Sequence, residues 1–99
     1  MRPATPPSPQ VTAVRFTPAP AGDARQGLLG FVAARIDGLQ VDGIALRRTL
    51  SGRLDLRYPE RRGGNRDRAH PVVRPVDEPT RQAIEAQVMA ALRAQGNLQ

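Results

Sequence analysis

The stretch GLLGFVAARIDGLQVDGIAL, which runs from Gly27 to Leu46, decides the fold. Its first half, Gly27 to Ile36, is the most apolar run of the chain and carries apolar side chains at both odd and even positions. Because alternate residues of a strand point to opposite faces, this pattern predicts a central strand. Asp37-Gly38 then gives a strong signal for a two-residue hairpin turn. Leu39 to Leu46 completes the hairpin as the next strand, with a bulge expected at Asp42-Gly43.

Shorter strands are predicted on both sides of this hairpin. Val11 to Thr17 alternates in the manner of a strand, and the prolines that follow it end the pattern. Ala21 to Gln26 has the composition of a turn. Beyond the central hairpin, Ser51-Gly52 marks another tight turn before a short strand from Leu54 to Tyr58. Pro59 to Arg68 is predicted to be a polar, arginine-rich loop, because it cannot bury apolar surface. His70 to Val76 then resumes a strand pattern, and its two prolines confine it to an edge or to a bulged position.

A helix is predicted near the C-terminus, from Pro79 to Gln95. Proline suits the first turn, Asp77 or Glu78 can cap it, and Gly96 suits its end. Apolar residues at helical spacing form a stripe that should cover one face of the sheet. The stripe comprises Ile84, Val88, Ala91 and Leu92. The sequence therefore predicts an α+β fold, with a small antiparallel sheet of about five strands and one C-terminal α-helix.

The length of 99 residues suits one small domain. Residues 1–9 contain four prolines, which preclude helix and ladder hydrogen bonds, so a disordered tail is expected there. The folded domain should span residues 10–96. Domains of this size have thin cores and often gain burial by forming oligomers.

Positive charge is concentrated in one segment of the chain. All 15 basic residues are arginine, and the net charge is +6. The segment from Arg47 to Arg68 holds eight arginines and three acids, so its net charge of +5 accounts for nearly all of the excess. A clustered positive field of this kind is the expected electrostatic footprint of a protein that binds a polyanion.

Arginines of this segment, with one from the helix, are the candidate nucleic-acid contacts. A guanidinium offers a flat, permanently charged fork that matches a phosphate. A charged face that only keeps a small protein in solution is the alternative, and for Arg81 an ion pair with Asp77, Glu78 or Glu85 is equally consistent with the sequence. The candidates are Arg47, Arg48, Arg57, Arg61, Arg62, Arg66, Arg68 and Arg81.

The sequence offers little for catalysis or for cofactor and metal binding. It has no cysteine and one histidine, His70, which is better explained as fixing the start of the last strand than as a ligand or base. No phosphate-cradling glycine motif occurs. We therefore expect no enzyme activity, no cofactor, no metal and no small-molecule substrate. No apolar run approaches the length of a membrane span and no signal-peptide pattern is present, so a soluble cytoplasmic protein is expected.

Aromatic residues are scarce, which bears on how bases could be recognised. Phe16 and Phe31 are expected in the core, and Tyr58 is expected to pack rather than to stack on a base. Base stacking on an aromatic sheet should then be weak. Binding dominated by contacts to the phosphate backbone, with modest sequence specificity, would follow.

Several stretches resemble the stage V sporulation protein G (septation protein G) family. These are VTAVRF at 11–16, VDGIALRRTLSGRLDLRYPERR at 41–62, RDRAHPV at 66–72 and EPTRQAIEAQVMAAL at 78–92. The most specific feature is RDRAHPV followed by TRQAIEAQV. The resemblance covers about residues 11–94 and departs from the family in the proline-rich extension, the less polar second strand and the absence of lysine.

The resemblance implies a homodimer built by strand pairing that binds DNA and RNA in bacterial gene regulation. It also implies that the protein is not an enzyme. Basic residues near the loop and the helix would make the contacts. A different function remains open at this point, because an exposed strand edge could instead serve a protein-interaction or assembly module.

Overall fold

The computed structural model describes residues 8–63 and 68–98, without the side chains of 62–71. The predicted α+β fold is confirmed. The main sheet is antiparallel, has four strands in the order β1-β2-β3-β4, and is followed by a separate two-stranded sheet of β5 and β6. The elements are β1 Val11–Pro18, α1 Ala21–Arg25, β2 Leu28–Ile36, β3 Leu39–Arg48, β4 Leu54–Arg57, β5 Glu60–Gly63, β6 Arg68–Pro71 and α2 Glu78–Ala94.

Three local predictions differ from the structure. The strand predicted over His70–Val76 is wrong beyond Pro71, since β6 ends there and pairs with β5 instead of joining the main sheet. The polar loop predicted from Pro59 to Arg68 contains β5, because each arm of a hairpin can satisfy the other's backbone groups without burying apolar surface. Ala21–Arg25, predicted as a turn, forms one short helix.

The central hairpin forms as predicted. Asp37 and Gly38 both have positive φ, at 51° and 88°, as a two-residue primed turn requires. The register between β2 and β3 shifts between Val32 and Ala34, which places the expected bulge at Asp42-Gly43. A further shift between Leu28 and Gly30 was not predicted, and it turns Leu29 toward the core.

Helix α2 packs over one face of the main sheet. The helix buries Ile84, Val88, Met89 and Leu92, so the predicted stripe is confirmed except that Met89 replaces the half-buried Ala91. The largest fully buried side chains of the whole domain join the sheet to this helix. They are Ile44, Leu46, Leu92, Val32 and Val88.

Two glutamine side chains, Gln87 of α2 and Gln95 directly after it, bind backbone groups of the edge strand β1 and of Pro9 before it. The Val11 N–H donates to Gln87 Oε1 at 2.9 Å, and Gln87 Nε2 donates to the Pro9 carbonyl at 2.6 Å. Gln95 Nε2 donates to the Val14 carbonyl at 2.9 Å. Backbone groups along this edge of the sheet therefore have partners from the helix, as buried or edge polar groups require.

Asp77 caps the start of α2, one of the two caps that the sequence allowed. Its Oδ1 accepts a hydrogen bond from the Thr80 N–H at 2.9 Å. This bond to the charged form lowers the pKa of the Asp77 carboxyl below its ordinary value. The Asp77–Thr80 hydrogen bond therefore stabilises the folded domain fully above the pKa that Asp77 has in the unfolded chain. This stabilisation is lost as pH falls through the lower pKa of Asp77 in the folded domain.

Replacing Asp77 tests this cap. We expect Asp77→Ala to lower the melting temperature at neutral pH by about 5 °C, since alanine cannot accept the Thr80 hydrogen bond. Asp77→Asn should keep the cap but lose its titration, so its melting temperature should fall less than that of the wild type between about pH 5 and pH 3. Thermal melts followed by circular dichroism measure both. Equal acid sensitivity of the wild type and the Asn variant would contradict the assignment.

Candidate nucleic-acid interface

The face of the main sheet that is turned away from α2 is uncovered, and we call it the open face. Alternation along each strand assigns its members, since directly opposed residues in an antiparallel pair lie on the same face. Phe16, Val32 and Ile44 are opposed to one another on the helix side. Their sequence neighbours therefore point to the open face.

Each of the four strands contributes one arginine to the open face. They are Arg15, Arg35, Arg47 and Arg57. Arg47 is partly buried and the other three are exposed. Among the described residues, none of the four forms an ion pair. Asp55 lies directly opposite Arg47 on the same face, so the three arginines with uncharged strand partners are the most available to an external anion. They are Arg15, Arg35 and Arg57.

Phe31 lies in the middle of this set of arginines, and its side chain is 42% exposed. The expectation that it is a core residue is wrong. The register places it between Thr17 on β1 and Ala45 on β3, and Ala45 in turn opposes Arg57. These small neighbours leave the ring uncovered, so it presents a flat apolar surface beside cations.

A shallow hollow of about 410 Å³ lies on the same face, beside Phe31's strand. Arg15 and Arg35 line it together with Gln40 and Asp42. Gln40 accepts from Arg35 Nε at 3.4 Å and donates to Asp42 Oδ1 at 3.0 Å. The Gln40 side-chain amide thus lies between the Arg35 guanidinium and the Asp42 carboxylate, which do not form an ion pair with each other.

The structure separates the arginines that the sequence grouped together. Arg47 and Arg57 lie on the open face, whereas Arg48 points to the other side of β3. Arg61 is exposed on β5. The side chains of Arg62 and Arg68 and the whole of Arg66 lie outside the described residues, as does that of His70.

Arg81 is held by two carboxylates of its own helix. It forms ion pairs with Glu78 and, through Nη1 at 2.7 Å, with Glu85. These bonds raise the pKa of the guanidinium above its usual range and lower the pKa of Glu78. The local ion pair that the sequence allowed is present, so the charge of Arg81 is already balanced at the start of α2.

Tyr58 packs against the core as expected. Its hydroxyl is enclosed and has no hydrogen-bond partner among the described residues. Burial, followed by the negative charge of Glu85, raises the pKa of the phenol. A neutral, enclosed hydroxyl leaves the Tyr58 ring as a packing element.

Sequence reasoning missed Arg15 and Arg35 because it looked for arginines close together in the chain. Both residues occupy strand positions that alternate with buried valine and alanine, and this alternation was the available signal. Their grouping with Arg47 and Arg57 depends on the strand order, which brings residues up to 42 positions apart onto one surface.

Comparison of the chain with protein-family models, curated proteins and solved structures yields no significant match. Within residues 8–63 and 68–98, neither helix has the length and apolar character needed to cross a bilayer. That part of the chain also contains no group of three His, Cys, Asp or Glu side chains placed to hold a metal ion. The resemblance to the stage V sporulation protein G family stays a prediction.

Proposed function

We propose that the protein is a nucleic-acid-binding regulator that holds a single strand of DNA or RNA across the open face. The carrying observation is the exposed ring of Phe31 on a face to which each of the four strands contributes an arginine. An unpaired base stacks on the ring, and the flanking phosphates lie against the guanidinium groups.

The surface favours this ligand for two physical reasons. Every base has a π face, so one exposed aromatic ring can accept any of them without reading sequence. Arginine matches a phosphate with two parallel N–H donors, and each phosphate neutralised releases condensed counterions. Affinity should therefore be strongly salt-dependent and specificity modest. The charge of the β5–β6 hairpin, through Arg61, adds to the same field.

We also propose that two subunits pair through β4. This strand is at one edge of the main sheet, whereas part of the edge of β1 is occupied by Gln87 and Gln95. Pairing at β4 would place the Arg57 residues of both copies close together and join the two open faces. Linked binding surfaces raise affinity without new contacts. Light scattering of the purified protein should give the mass of a dimer, and a monomer at all concentrations would contradict this pairing.

Replacing Phe31 with leucine tests the stacking proposal. Phe31→Leu keeps an apolar side chain and all charges but removes the π face, so affinity for a labelled single strand should fall on the order of tenfold. The slope of log affinity against log salt should stay as in the wild type, because the phosphate contacts are unchanged. Fluorescence anisotropy over a salt series, with single-stranded DNA, RNA and a duplex, measures both quantities.

The same titrations decide the proposed function. Wild-type protein should bind single strands in dilute salt and release them as salt rises. Failure to bind either DNA or RNA in dilute salt would refute nucleic-acid binding. Normal single-strand affinity in the Phe31→Leu variant would refute the stacking role and leave only backbone binding.

A further inference from the structure

A second basic hollow lies at the end of the sheet where β2 begins and β3 ends. It has a volume of about 330 Å³ and lies between α1, the start of β2 and the turn from β3 to β4. Two of its lining residues are cations, Arg25 and Arg48, and none is acidic. Among the described residues neither arginine forms an ion pair. We call this site the end hollow.

Positive charge continues from the open face into the end hollow around the last residues of β3. Arg47 and Arg48 are consecutive, so one points to the open face and the other into the end hollow. Both come close to Gly27. A Cβ on Gly27 would lie 2.8 Å from the Arg48 carbonyl oxygen and 3.9 Å from Arg47 Nη2. Because Arg47 and Arg48 are consecutive at the end of β3, a nucleic-acid strand that crosses the open face at Arg47 could continue around the end of the sheet to Arg48.

Leu50 lies at the rim of the end hollow, and its side chain is fully exposed. Hydrogen bonds close the turn that presents it. The Thr49 N–H donates to the Arg53 carbonyl at 2.7 Å, and the Arg53 N–H donates to Thr49 Oγ1 at 3.1 Å. Thr49 Oγ1 also lies 2.9 Å from Ser51 Oγ. An apolar side chain is thus held in water at a fixed place between arginines, where it contributes nothing to the core.

We propose that the end hollow binds one backbone phosphate of the same nucleic-acid strand, between Arg25 and Arg48, and that Leu50 packs against the neighbouring base or sugar. This proposal rests on the proposed function and adds a contact outside the open face. The hollow is near the lower end of the range of small-ligand pockets, about 300–1,000 Å³, which suits a single nucleotide. A cation beside an apolar group fits a nucleotide, whose phosphate and base offer the complementary chemistry.

A fluorescence experiment tests the role of Leu50. The chain has no tryptophan, so a Leu50→Trp variant carries a single reporter at this exposed position. Leu39→Trp is the matched control. Leu39 is also an exposed leucine, 64% accessible, but it lies at the opposite end of β3 beside Asp37 and about 30 Å away. Single-stranded DNA should quench the Leu50→Trp emission in a saturable way and leave the Leu39→Trp emission unchanged.

The phosphate contact is tested with Arg25→Gln/Arg48→Gln in the Leu50→Trp background. We expect roughly tenfold weaker single-strand binding by anisotropy and loss of most of the quenching at saturation. Vesicles of phosphatidylglycerol should leave the Leu50→Trp emission unchanged.

Several outcomes would overturn the proposal. Equal responses of the Leu50 and Leu39 reporters, while anisotropy still shows binding, would leave the proposed function standing and remove the end hollow from it. A blue shift with vesicles but not with DNA would assign Leu50 to an anionic lipid surface instead. Absence of any binding by anisotropy would end both proposals together.

Discussion

Replacing Gly30 with alanine is expected to unfold the domain or to destabilise it by roughly 3 kcal/mol or more, because the site has no room for a methyl group. An added Cβ would lie 2.4 Å from the Thr17 carbonyl oxygen and 2.6 Å from Phe16 Cζ. The phenyl ring could rotate, but the carbonyl belongs to the backbone of the adjacent strand. Relief therefore requires β1 to move away from β2 at its pairing of Pro18 with Gly30.

A loss of about 3 kcal/mol matters because a small domain has little stability in total. Domains are stable by about 5–15 kcal/mol, so a loss of this size removes a large fraction. Gly22→Ala is the matched control. A Cβ there meets only Arg25 Nη2 at 3.9 Å, and alanine is a better helix former than glycine in α1. Thermal and urea melts of both variants measure the difference, and a Gly30→Ala protein as stable as the wild type would show that β1 lies elsewhere.

Neutralising the open face should have the largest effect on binding. In a variant with all four open-face arginines changed to glutamine, single-strand affinity in dilute salt should fall on the order of a hundredfold or more. The variant is Arg15→Gln/Arg35→Gln/Arg47→Gln/Arg57→Gln. If each arginine neutralises one phosphate, the slope of log affinity against log salt should become shallower by about 3. Circular dichroism should show an unchanged fold, because these side chains lie outside the core.

A control separates a specific surface from net charge. Arg74→Gln/Arg93→Gln removes two exposed arginines outside the main sheet, one before α2 and one in its last turn. Per charge removed, the loss of affinity should be several times smaller than for the open-face variant. Equal losses per charge would mean that the strand is attracted by the overall field, and the open face would then have no special role.

Local signals in the sequence were enough for the elements whose structure is decided by neighbouring residues. The Asp37-Gly38 turn needs positive φ at two consecutive positions, and few residue pairs other than this one accept it. The start of α2 is decided by Asp77 and the proline after it. The short helix α1 was missed because Gly22 and Asp23 occur in turns as readily as in one turn of helix.

The exposure of Phe31 could not be read from the sequence. A strand that is apolar at both odd and even positions looks buried on both faces, and Phe31 contributes to that pattern. The described residues contain one long helix, α2, which covers only one face of the sheet. Which face is covered depends on packing between distant elements, and the shift between Leu28 and Gly30 further changes which residues of β2 face the helix.

The arginines also combine a property that the sequence predicts with one that only the fold determines. Their excess, and the expectation that they attract a polyanion, follow from composition alone. Their grouping follows from the register of four strands, which joins Arg15 and Arg57 on one surface and turns Arg48 away from Arg47. Charge density along the chain therefore predicts a polyanion as the ligand, but it does not predict which arginines share one surface.

Together with the proposed pairing through β4, the glutamine contacts on β1 would limit how large an assembly of this protein could grow. A sheet whose two edge strands are both unpaired can add copies at both edges and extend into a fibre. Here Gln87 and Gln95 occupy part of the β1 edge with side chains of the same molecule. Under the proposed pairing through β4, association would use the same strand in each copy, so it would close at two.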